Sequence, residues 1–395
     1  MSIFRENKSL LIIALIAIVN ALGYGIIIPI LYSYSHRFGL SDFQNGLLFS
    51  VFSICQFIST PIIGRLSDVY GRKPLLVISI AGTAASFFLM AFAPSAIFLF
   101  LARALDGITA GNIPVASAVI SDTTKPQDRA KGFGIIGASF GFGFIFGPAI
   151  SAFTVGFGPA VPFLIAGTVS LIATILTAVV LPETNKHIGL VKQGKLFDFV
   201  HLAKALFDKN VGLTLLISFI YSLAFSLFIY AYQPLSVRIL GLTPTQISLN
   251  FVLFGVVGLI AQAVIIPRFV KRFGESEMLR NSLLVAIITF VGFYLTRSLP
   301  MLIVVSMFHS LANAFVNPLV QSLLSREVDE HSQGAIQGVN ASYVSVGMII
   351  GPVIGGLLAT YMIPLPFLAG AIFALICFAL SLQVLRNARV RQISV

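Results

Sequence analysis

Residues 64–74 read Gly64-Arg65-Leu66-Ser67-Asp68-Val69-Tyr70-Gly71-Arg72-Lys73-Pro74, a charged stretch wedged between two long apolar runs. A connection this short between apolar runs predicts a tight hairpin joining two membrane helices. Each residue type suits such a hairpin, since Gly64 lets helices approach closely, Gly71 permits positive φ, and Pro74 fits the first turn of the next helix. Arg65, Arg72 and Lys73 place the loop on the cytoplasmic side. Asp68 stands among these cations, placed to pair with an arginine or to sit at a helix N-terminus.

Composition agrees with a membrane protein. The 395-residue chain is 57% hydrophobic and 10% charged, whereas a soluble domain carries roughly 25% charged residues. Net charge is +11, but the basic residues fall in short clusters between apolar runs, which excludes a nucleic-acid surface and marks them as topology determinants. Cys55 and Cys377 lie within apolar runs without metal-type spacing, so neither a metal nor any other cofactor is expected.

Apolar runs long enough to cross a bilayer, at ~20 residues each, fall near 9–31, 43–63, 74–93, 97–120, 132–153 and 160–181, then 211–233, 246–267, 279–296, 301–324, 335–357 and 366–385. The first run exceeds the ~7–15 apolar residues of a cleaved signal peptide. The expected fold is all-α and integral to the membrane. Twelve transmembrane helices form two six-helix pseudo-symmetric bundles, 1–181 and 211–395, joined by a linker at 182–210. All Lys and Arg except Arg37, Arg103, Arg238 and Arg297 fall on one side of this arrangement, which predicts both termini in the cytoplasm. Within the linker, Leu196, Phe199, Val200, Ala203, Leu206 and Phe207 recur at helical spacing, predicting an amphipathic helix on the membrane surface or, alternatively, against a partner. The halves repeat: Gly147-Pro148 and Gly351-Pro352 occupy matching places, and residues 38–44 parallel 240–246.

Polar and small residues inside the runs mark candidate sites. Gly143, Gly147 and Pro148, with Gly351, Pro352 and Gly355, offer flat faces for close packing at two matching helices. Arg103 lies within the fourth run, where a cation costs at least ~2.5–3.5 kcal/mol unless it faces a partner or a polar cavity. Asp106, three residues on, is the obvious partner. It is also the one acidic residue well inside a span, hence the first candidate to carry a proton, with His309 next. A purely structural Arg103–Asp106 pair is the alternative. His309, Asn313, Asn317 and Gln321 recur every fourth residue and are expected to face a substrate cavity, which Asn20, Tyr24, Gln56, Tyr230, Gln233, Gln262, Asn340 and Tyr343 would complete.

The loop at 64–73 resembles the G-x-x-x-D-x-x-G-R-K signature between the second and third helices of the major facilitator superfamily, and all five specified positions match. Leu101 to Gly111 is similar to that family's R-x-x-x-G pattern. Gly143 to Ala152 is similar to the G-x-x-x-G-P-x-x-G-G signature of its exporters, with Ser151 and Ala152 in place of the last two glycines, while Gly347 to Gly356 carries the fuller version. Within the family the chain most resembles the tetracycline and multidrug proton antiporters. The resemblance implies a secondary transporter of the bacterial inner membrane that exports a small amphipathic compound in exchange for protons. It also implies a cytoplasmic gate at Gly64, Asp68, Gly71, Arg72 and Lys73, and a role in proton movement for Arg103. One departure is Asn20, where related exporters often carry an acid. A facilitator or symporter is the first alternative; a membrane enzyme or receptor would need a catalytic constellation that the polar segments lack. The expected partners are a small-molecule substrate, protons and the lipid bilayer, with the protein acting as a monomer.

Overall fold

The structure, a computed structural model, describes residues 8–124, 129–185, 188–189, 204–208, 211–329 and 332–393. Twelve helices there are long and apolar enough to cross a membrane: α1 Ser9–Ile27, α2 Asp42–Tyr70, α3 Arg72–Ala91, α4 Ala96–Thr123, α5 Gly132–Phe157, α6 Val161–Val180, α7 Gly212–Ile239, α8 Pro244–Phe273, α9 Glu275–Leu295, α10 Leu299–Arg326, α11 Gln333–Tyr361 and α12 Leu365–Arg386. The all-α membrane fold expected from the sequence is therefore present. The stripe at 196–203 lies outside the described residues; its last positions, Leu206 and Phe207, belong to a short helical turn.

Packing divides the chain into two units. One comprises Met1–Leu40, Val51–Phe197 and Thr243–Val252, the other Ser41–Ser50, Asp198–Leu242 and Leu253–Val395. In the first unit α1 packs along α5 and α3 along α6; in the second, α7 packs along α11 and α9 along α12. The same pairing thus recurs six helices later. Lipid tails are as apolar as leucine, so helices in a membrane associate through close contact rather than through the hydrophobic effect. Small residues decide where that contact forms. A Cβ on Gly147 would stand 2.7 Å from the Gly25 Cα, and one on Gly351 would stand 2.7 Å from the Leu223 carbonyl oxygen. Ser151 adds a bond from α5 to the Ile26 carbonyl of α1, and Ser226 of α7 donates to the Gly347 carbonyl of α11.

Two of the departures from the sequence expectation bear on the candidate sites. At 29 residues, α2 is about 44 Å long, against a hydrocarbon core of about 30 Å. It therefore continues past the apolar run through Tyr70, and the 64–74 loop contracts to a single residue, Gly71, with φ +100°. Among the described residues a Cβ on Gly64 would meet nothing within 4 Å, so the expected close approach is not found there. The fourth span is two helices, Ala96–Thr109 and Asn112–Thr123. Pro114 has no N–H for the Ala110 carbonyl one turn back, and the break falls there.

Candidate functional site

Buried polar groups lie on both sides of the break in α4, inside the first unit. Arg103 and Asp106, 3% and 8% exposed, share one face at i,i+3, and the Arg103 guanidinium lies 3.2 Å from the Asp106 Oδ2. The guanidinium carbon also sits 4.3 Å above the Phe52 ring, a cation–π contact of the kind that strengthens when water is excluded. Tyr24 packs on Phe52 and on Phe144, closing this side with aromatic surface. Beyond the break, the Asn112 side chain donates to the Asn20 Oδ1 at 2.9 Å, and Asn20 donates to the Ile16 carbonyl at 3.1 Å. The Arg103 Nε and Asn112 Oδ1 are buried without a hydrogen-bond partner among the described residues. An ion pair, two amides and two unmet polar atoms in one membrane unit can accept, hold and pass protons or polar ligand groups.

Charged groups also gather at the α2–α3 junction. Arg72 lies 2.7 Å from the Asp68 Oδ1, its i−4 neighbour, and 3.3 Å from the Asp122 Oδ2 at the end of α4. It donates further to the Ser67 Oγ at 2.6 Å. One guanidinium thus ties together the ends of α2, α3 and α4. Sequence reading named Asp68 and Arg72 but gave Asp122 and Ser67 no part in the gate; Asp122 is the acid nearest the end of the fourth span, which was the available signal.

In the second unit the four-residue stripe on α10 does not share one environment. His309 is fully buried, Asn313 half-buried, and Asn317 and Gln321 exposed. Steps of four residues advance 40° beyond a full turn, so three steps rotate the stripe by about 120°. The His309 ring packs against Phe228, Phe290 and Phe293 at centroid distances of 4.4, 4.9 and 5.4 Å. The Thr289 hydroxyl lies 2.9 Å from the Ala286 carbonyl oxygen and 2.9 Å from the His309 Nδ1, where the direction of the bond follows the ring's tautomer. The Nε2 has no partner among the described residues.

The remaining cavity candidates separate in the same way. Tyr230 is buried, donates to the Asp42 carbonyl at 2.6 Å and packs on Gly355. Gln233 is fully buried, and Asn340 accepts from Ser218 at 2.6 Å. Asn313 accepts from Tyr221 at 3.4 Å, and Tyr343 packs edge-on to Phe219. Gln56 is half-buried with its carbonyl bonded to Thr60, and Gln262 is exposed within a π-helical turn at Ala261–Ile265. Such turns recur at functional positions in helices.

Twelve spans in two similarly paired units are the arrangement of a membrane transporter built from internal repeats. The family model described as Major Facilitator Superfamily matches residues 13–232 and 214–393, and the chain belongs to that superfamily. It is 30% identical over 371 residues to multidrug resistance protein 2 of Bacillus subtilis, covering 92% of each chain. It is 29% identical to the class H tetracycline resistance protein of Pasteurella multocida, covering 90% of each. Among solved structures, a bacterial homolog of the human lysosomal transporter Spinster matches with a TM-score of 0.79 at 16% identity, covering 97% of each chain, a likeness in fold. The protein is a multi-pass membrane transporter and not an enzyme.

Proposed function

We propose that the protein exports a small amphipathic organic compound from a bacterial cytoplasm in exchange for protons. The two six-helix bundles, 1–181 and 211–395, work by alternating access, and the monomer holds both termini in the cytoplasm. The observation that carries this reading is the Arg103–Asp106 pair, buried within the fourth span. Asp106 takes the proton when the site is desolvated and yields it when Arg103 or water approaches, so one carboxylate links conformation to the proton gradient. Asp68 and Arg72 act as the cytoplasmic gate; their bonds to Ser67 and Asp122 stabilise one arrangement of the α2–α3 junction, and a bias of a few kcal/mol changes conformer populations many-fold. The glycine faces of α5 and α11 keep α1 and α7 in register during the movement.

Tetracycline and a quinolone are the first compounds to test, because relatives of this chain are named for resistance to them. In vesicles holding the purified protein, an imposed pH gradient drives either compound uphill. Transport that only dissipates a compound gradient, unchanged by pH, would favour a facilitator; accumulation along with protons would favour a symporter.

A further inference from the structure

The segment that leaves α6 reaches back to the α2–α3 junction. The Glu183 carboxylate accepts the backbone N–H of Arg72 at 2.9 Å and that of Lys73 at 3.1 Å, the first two amides of α3. It also accepts the N–H of Thr184 and of Asn185. Asn185 in turn donates its side-chain amide to the Asp68 carbonyl at 3.1 Å, and the Gly189 N–H approaches the same oxygen at 3.4 Å. A few residues of chain therefore grip both sides of the one-residue turn at Gly71.

This grip answers a local need. The opening amides of a helix have no partner within it, and a carboxylate placed there meets both the free donors and the positive end of the helix dipole. Gly71 precedes α3 and has no side chain with which to cap it. Glycine is also the most flexible residue type, so nothing in the turn itself fixes the first turn of α3 against the last turn of α2. The positive φ at 71 favours glycine, and a side chain there would push the Glu183 carboxylate aside.

Burial disfavours ionisation of Glu183, but the four backbone donors outweigh it and hold the carboxyl below its usual range. A carboxyl depressed in the folded state contributes stability above its unfolded value, about 4.3, and loses it as pH falls through the lower folded value. The grip is thus intact throughout the neutral range.

We propose that Glu183, with Asn185, is a positioning latch for the gate: the start of the linker sets the α2–α3 turn so that Arg72 reaches Asp68, Ser67 and Asp122 together. Any event that displaces the linker then acts on the gate through these bonds. The proposal rests on reading Asp68 and Arg72 as the gate.

The test uses the full chain in lipid nanodiscs and vesicles, comparing wild type with Glu183→Ala, Glu183→Gln and Asn185→Ala. Hydrogen exchange at Arg72 and Lys73 should rise about tenfold in Glu183→Ala, as expected for loss of bonds to a charged acceptor. It should rise less in Glu183→Gln, which keeps one acceptor oxygen, while exchange at Ile80–Ala84 stays unchanged. Tetracycline transport should lose kcat with KM retained. Unchanged exchange at Arg72 and Lys73 would overturn the latch. Faster exchange with transport intact would leave the latch in place and overturn the gate reading of the turn it holds.

Discussion

The side-chain amide of Asn112 donates to the Oδ1 of Asn20 at 2.9 Å, joining α1 to the second half of α4 across 92 residues of sequence. Asn20→Leu removes the acceptor and strands a buried donor, at a cost of about 1–3 kcal/mol. Asn20→Asp, as the neutral acid, retains an acceptor oxygen for the same donor and a hydroxyl for the Ile16 carbonyl that the Asn20 amide now meets. Thermal unfolding in detergent should therefore rank wild type and Asn20→Asp well above Asn20→Leu; equal midpoints for the two variants would show that the bond contributes nothing.

For Asp106, substitution by asparagine removes the titrating group while leaving an oxygen near Arg103. Vesicles carrying Asp106→Asn should lose uphill, gradient-driven export yet retain exchange of tetracycline across the membrane. Undiminished uphill transport at every pH would leave the pair as a structural tie within α4.

Gly147 and Gly64 make opposite predictions although both are helical glycines. A Cβ at Gly147 meets the α1 backbone at 2.7 Å, whereas one at Gly64 meets nothing within 4 Å among the described residues. Gly147→Leu should separate α5 from α1 and abolish transport or folding. Gly64→Ala should shift stability by less than about 0.5 kcal/mol, with slight gain from the better helix former. Folding yield by fluorescence-detected chromatography reads both, and a fully active Gly147→Leu variant would remove the packing role.

His309 is expected to serve packing. Its Nδ1 bond to Thr289 and its ring contacts with Phe228, Phe290 and Phe293 leave Nε2 buried without a partner among the described residues. His309→Phe exchanges that unmet nitrogen for apolar surface of similar size, and should hold thermal stability within about 1.5 kcal/mol of wild type with gradient-driven transport preserved. Loss of proton coupling in this variant, with the fold intact, would return His309 to the mechanism.

The spans were legible because roughly twenty apolar residues between charged clusters have one physical solution in a bilayer. The Arg103–Asp106 pair was legible for a similar reason: spacing of three on a helix is itself a contact. What sequence could not supply were the contacts between distant elements. Nothing local in Glu183 points to the amides of Arg72 and Lys73. Tyr230 and Gln233 read as cavity residues because they are polar, yet tight packing of α7 buries both. The break in α4 did carry a signal, Gly111-Asn112-Ile113-Pro114, in which a glycine and a proline mark the end of one helix and the start of another.

The pairing of Arg103 with Asp106 also has an electrical side. Moving one elementary charge through a membrane potential is worth about 2.3 kcal/mol per 100 mV, but a cation and an anion 3.2 Å apart travel as a neutral unit, on which the potential does almost no work. A proton bound to Asp106 would cancel the anion and leave the Arg103 charge uncovered. The loaded site, and not the empty one, would then feel the voltage, and the direction of the field would bias which way the charged unit turns.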